Sequence, residues 1–141
     1  MDEKMQATAL ESLNDEQNGA YLYDALALAE KDSRLAEVYR RMAAVERKHA
    51  DEWVERLKSG GVAIPSFAPN WRSHTLAWAA KHLGVAAVLP TVIGNERKDS
   101  RKYAHIPGGA GMAADESSHN RLLSRVVSTI RVEWKAGLWL S

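Results

Sequence analysis

Apolar residues recur along this chain at spacings of three and four, the period of helices that bury one face. Over about residues 3–30, Leu13, Glu16, Ala20, Tyr23 and Ala27 share one stripe, with charged residues opposite. A break at Lys31-Asp32-Ser33 offers Asp32 or Ser33 as the cap of a second helix over about 33–59. The stripe of that helix reads Leu35, Tyr39, Met42, Glu46, His49 and Trp53, and Gly60-Gly61 ends it. So short a connection between long helices predicts an antiparallel hairpin. Residues 61–70, with Pro65 and Pro69, read as an extended loop. A helical pattern returns near Ser73 and runs to about residue 105, broken or kinked near Pro90, which either starts a new helix or bends this one. Its later stripe holds Leu89, Val92, Glu96, Asp99 and Tyr103, and Pro107-Gly108-Gly109 closes it. The last helix covers about 110–133, with Met112, Glu116, His119, Leu123, Val126 and Ile130 on one face. These segments predict one all-α domain over residues 1–141, an antiparallel four-helix bundle.

Each of the four stripes carries a carboxylate where an apolar residue belongs. Glu46-x-x-His49 and Glu116-x-x-His119 place a carboxylate and an imidazole at i and i+3, on one side of a helix. Glu16 and Glu96 stand alone in the other two stripes. A buried, unpaired carboxylate is unfavourable by several kcal/mol, so something must compensate it. One Glu-x-x-His pair is common on helices and means little. The ordered repeat, a helix with a lone Glu and then a helix with Glu-x-x-His, is the template of a site for two metals in a helical bundle. Four carboxylates carry −4 and two divalent cations +4; without metal, some of the carboxylates would have to take up protons. Oxygen-rich ligation with two imidazoles suits iron or manganese better than copper or structural zinc. Gly19 lowers helix propensity inside the first stripe, and a close helix contact or room near Glu16 would explain it.

Composition narrows the alternatives. The 141 residues suffice for one domain with a sizeable core. Charged residues make up 26% and the net charge is +1, so nothing points to nucleic acid or an anionic membrane as partner. The chain has no cysteine, which excludes disulfides, iron–sulfur clusters, Cys-ligated zinc and thiol catalysis. Met1-Asp2-Glu3-Lys4 is not followed by an apolar signal region, and the run from Leu83 to Ile93 is too short to span a bilayer. A soluble, cytoplasmic chain is expected. Tyr23, Tyr39 and Tyr103 lie seven residues from Glu16, Glu46 and Glu96 respectively, and read as core aromatics whose hydroxyls find a carboxylate. His74, His82 and His105 have no Glu at the ligand spacing and are expected at the surface or at helix ends. Arg97, Lys98, Arg101 and Lys102 read as a solvated face. Five tryptophans, Trp53, Trp71, Trp78, Trp134 and Trp139, are many for this length; they serve core packing or a subunit contact, and a homodimer or larger assembly is expected.

The set Glu16, Glu46-x-x-His49, Glu96 and Glu116-x-x-His119 resembles the ferritin-like superfamily, and rubrerythrin-type domains in particular. The wording of Gly19-Ala20-Tyr21-Leu22-Tyr23-Asp24-Ala25-Leu26, of Val38 to Glu46 and of Ala114 to His119 is similar to the ferritin-like domain preceding the membrane part of erythrin-type vacuolar-iron-transporter proteins. The resemblance runs from about Leu13 to Arg125. It implies a ferritin-like bundle in which Glu16, Glu46, His49, Glu96, Glu116 and His119 bind two iron ions, with manganese the second candidate, and act in oxidation of Fe(II) by dioxygen or peroxide. Asp99 stands where rubrerythrin-like sites carry an extra carboxylate that joins or leaves the metals; its shorter side chain makes a solvated or supporting acid the equal alternative. The resemblance further implies a cytoplasmic domain serving an iron or manganese exporter, tethered to a C-terminal membrane transporter domain not present in this chain. Rubredoxin-like cysteines are absent, which removes an in-chain electron donor. A stand-alone rubrerythrin-like peroxidase or manganese-catalase-like enzyme, and a non-catalytic metal-sensing module, are the rival readings.

Overall fold

The computed structural model describes residues 1–94 together with Arg121 and Arg125. Two helices of 27 residues each, α1 (Glu3–Ala29) and α2 (Ser33–Ser59), dominate it. At 1.5 Å per residue each is about 40 Å long. Their ends are fixed by the side chains and glycines at the boundaries. Asp2 caps α1, its carboxylate accepting the Met5 N–H at 2.8 Å. Asp32 rather than Ser33 caps α2, accepting the N–H groups of Arg34 at 2.9 Å and Leu35 at 3.4 Å. At the far end of α2, Val62 N–H reaches Leu57 C=O at 2.9 Å and Gly61 N–H reaches Lys58 C=O at 3.0 Å. That pair of bonds is a Schellman closure, and Gly61 supplies its left-handed residue at φ +75°.

α1 and α2 pack side by side as an antiparallel hairpin. Glu16 meets His49 and Gly19 meets Glu46, so one index rises as the other falls. The same register brings Met1 beside Gly60. The stripe of α1 is buried at Leu13, Glu16, Ala20, Tyr23 and Ala27, and widened by Ala9, Ser12, Leu22 and Leu26. On α2, Tyr39, Met42, Glu46, His49 and Trp53 are buried, while Leu35 is half-buried. Arg47 and Lys48, between the two ligand-type residues, are exposed.

Residues 61–70 lead to α3 (Trp71–Leu83), which starts two residues earlier than the sequence pattern suggests. The reason is Asn70, whose side-chain carbonyl accepts the Ser73 N–H at 2.8 Å as a cap would. Asn18 ties this segment to α1. Its amide donates to Asn14 C=O at 2.9 Å and its oxygen accepts the Asn70 N–H at 3.0 Å. One turn on, Tyr21 Oη lies 3.3 Å from His74 Nδ1. Met1–His82 thus forms one compact unit.

The chain divides there, and a second unit begins at Leu83. Gly84 leaves the right-handed region with φ +93°, Val85–Ala87 make a short 3-10 turn (η1), and helix resumes over 89–94. The interruption therefore centres on Gly84, and of the two alternatives for Pro90 it is the start of a new helix that holds. Pro90 lies in the first turn of the resumed helix, where its missing N–H has no intrahelical partner to lose. Val85, Val88, Leu89, Val92 and Ile93 are buried, and Arg121 and Arg125 are helical and exposed.

The described residues are all-α, without a strand. Glu96, Asp99, Glu116 and His119 lie outside them, as do Tyr103, His105, Trp134, Trp139, the basic cluster at 97–102 and the Pro107-Gly108-Gly109 break. Among the described residues no helix is long and apolar enough to cross a membrane.

Candidate metal centre

Antiparallel packing of α1 against α2 brings three ligand-type side chains together midway along the hairpin. Glu16 comes from α1, and Glu46 and His49 from α2, one helical turn apart. Each offers a ligand atom within 4.8 Å of the other two. Relative exposures are 1% for Glu16, 4% for Glu46 and 1% for His49, so the group is sealed from solvent. His49 Nδ1 lies 3.5 Å from a Glu16 carboxylate oxygen.

Two carboxylates so placed in a poorly polarisable interior are unfavourable as bare ions, and a cation is the compensation their geometry suits. Three atoms bound to one ion at about 2.0–2.2 Å lie no more than roughly 3.8 Å apart on average, so a triad with spacings up to 4.8 Å closes on an ion by side-chain movements of up to about 1 Å. Carboxylate oxygen with imidazole nitrogen is a donor set for divalent first-row ions. The residues present fit a metal ion.

The surroundings hold the group in place. Asp24 and Arg47 pair at 2.9 Å on the outer flank, half-exposed, so Arg47 neutralises α1's surface and not the buried carboxylates. Trp53 closes the stripe one turn beyond His49, with the Arg56 guanidinium 4.7 Å from its ring centre. Two features escape a reading by periodicity. Ser12, one turn before Glu16, is fully buried, and its hydroxyl has no hydrogen-bond partner among the described residues. Gly19 makes room, as its position in the stripe suggests, but the atoms it accommodates belong to Glu46 rather than Glu16.

Tyr23 and Tyr39 are both buried core aromatics, as expected, and Tyr39 departs from expectation in its hydroxyl. Tyr39 is fully buried, yet its hydroxyl finds no partner among the described residues. Burial pushes its phenol well above the ordinary range, and the negative charges of Glu30 and Asp32 add to this. Its register places it toward the hairpin turn, where the carboxylates that act on it are those of Glu30 and Asp32. His74 and His82 are exposed on α3, His74 edge-on to Tyr21 and His82 against Trp78. Trp71 and Trp78 are exposed on the same helix.

The described fold and site thus define a helical protein with a buried Glu-Glu-His group able to hold a metal ion. Comparison of the chain with protein-family models, curated proteins and solved structures returns no match.

Proposed function

We propose that this chain is a ferritin-like domain that binds two iron ions and oxidises Fe(II), serving as the cytoplasmic metal-binding part of an iron or manganese exporter. The observation that carries the reading is the convergence of Glu16, Glu46 and His49 in one sealed place. The sequence repeats the same ligand grammar in Glu96 and Glu116-x-x-His119, which would supply the other half of an antiparallel four-helix bundle. In that bundle Glu16, Glu46, His49, Glu96, Glu116 and His119 would together hold the two ions.

Fe(II) is the substrate in this reading, and each ion gives one electron to dioxygen or peroxide. The protein's part is to present anionic oxygens that favour the higher iron charge, in an interior that keeps bulk water out. Oxidation adds two positive charges to the site, and Asp99, three residues after Glu96 in the sequence, would offset part of that charge. A second reading draws on the triad itself: three ligands suffice for one ion in a binding module without turnover.

Aerobic oxidation of Fe(II), followed by ferric absorbance, separates the two. Turnover faster than the protein-free control, lost in His49→Ala, supports oxidation. Metal binding with no acceleration over the control supports the module instead.

A further inference from the structure

We infer that Gly19 is the positioning residue of this centre: it reserves on α1 the space in which the Glu46 carboxylate sits, and so sets the affinity for the metal. The inference rests on the metal-binding reading of Glu16, Glu46 and His49.

Glycine is among the least favourable residues for a helix interior, because it adds no side chain to pack and loses the most backbone freedom. Two reasons normally keep it there: a left-handed backbone or a close approach. The first does not apply, since only Gly61 and Gly84 among the described residues have positive φ. The second does. A Cβ at position 19 would stand 3.2 Å from Glu46 Oε2, 3.3 Å from its Cδ and 3.5 Å from its Cγ. The nearest atoms are thus one side chain's terminal group, and that group is a proposed ligand. Position 19 also lies one turn from Glu16, so the bare helix surface at Gly19 and the Glu16 carboxylate face the same place.

A contact of 3.2 Å is tighter than a Cβ normally accepts, so an added methyl requires the Glu46 carboxylate to give way by a few tenths of an ångström. The fold can accommodate this, because the neighbour is a side chain and not backbone. The metal site cannot do so freely, because its ligand atoms already lie within 4.8 Å of one another and must close further to bind one ion. Turning a side chain about 30° from its rotamer to clear the methyl corresponds to a roughly two- to tenfold loss of affinity. The apo helix, by contrast, gains from replacing glycine with alanine. Affinity and apo stability should therefore move in opposite directions, which a merely structural glycine would not produce.

The test is titration of the full chain with Mn(II), free ion being read by its electron paramagnetic resonance signal, alongside apo thermal melts. It is run on wild type, Gly19→Ala, Glu46→Asp and the double variant. Expected are roughly two- to tenfold weaker Mn(II) binding in Gly19→Ala with an unchanged or raised apo Tm, and a smaller Gly19→Ala effect in the Glu46→Asp background, where a missing methylene leaves room. Unchanged affinity in Gly19→Ala overturns the inference while leaving the metal reading standing. If Gly19→Ala lowers the apo Tm, the double variant decides: an equal loss of affinity in the Asp background also overturns it. Wild type that binds no Mn(II) overturns the metal reading, and this inference with it.

Discussion

Replacing Glu16 by Gln removes one negative charge from the triad while keeping the side chain's length and shape. Carboxylate oxygens 4.8 Å apart, the widest spacing within the triad, repel by about 3.5 kcal/mol at an effective dielectric of 20, taking both as ionised, and closer ones by more. The substitution should therefore leave the apo protein as stable as wild type or more so, by an amount on the order of that repulsion. With metal present the effect reverses. At a free ion concentration 100 times Kd, binding stabilises the folded chain by about 2.7 kcal/mol; a 100-fold loss of affinity leaves about 0.4 kcal/mol. At roughly 4 °C per kcal/mol for a chain of this size, a metal-induced rise in Tm near 10 °C shrinks to about 2 °C. Thermal melts with and without Mn(II), monitored by circular dichroism, measure both quantities. An undiminished metal-induced rise in Glu16→Gln refutes the ligand assignment. A markedly lower apo Tm instead makes Glu16 a structural hydrogen-bonding group and not a ligand.

Other predictions concern the hairpin that carries the site. Leu26 of α1 is completely buried, so Leu26→Ala should lower unfolding free energy by about 2–5 kcal/mol in urea without changing the m-value. Asp32 is held below its ordinary 3.8, first by the Arg34 N–H and then by the Arg34 guanidinium. Its contribution to stability is thus present above that value and lost as pH falls through the lowered one, so the deficit of Asp32→Ala seen in melts at pH 7 should shrink as pH falls below 3.8. Glu30 is displaced the other way, raised above 4.5 mainly by burial. A raised carboxyl burdens the folded state once ionised, so Glu30→Gln should raise Tm at neutral pH, with no gain in acid.

Much of this architecture is legible in the chain because helical period and burial coincide in α1 and α2. The apolar residues that mark the inner faces also place Glu16, Glu46 and His49 there, and the i, i+3 spacing brings Glu46 and His49 to one side before any contact is known. Spacing cannot give the register between helices, which is why Gly19 is recognisable as a space-maker but not as Glu46's. Single residues decide the ends. Asn70 carries its α3 through a side-chain bond to Ser73 that periodicity does not register. Pro90 signals a break, but the interruption itself falls at Gly84, whose positive φ carries it, leaving Pro90 in the first turn of the next helix. Tyr39 has the spacing of a residue whose hydroxyl meets a ligand, but its hydroxyl has no partner among the described residues. A seven-residue offset specifies a face and not a distance: two turns of helix separate such residues by about 10 Å.

The central claim is most directly tested by anaerobic Fe(II) titration of the metal-free full chain, with bound iron quantified per chain. A bundle using Glu16, Glu46-x-x-His49 and their counterparts should saturate at about two Fe(II) per chain, and His49→Ala should lower that number or abolish saturation. A wild-type chain that takes up no iron, or a His49→Ala chain that takes up as much as wild type with equal affinity, contradicts the account.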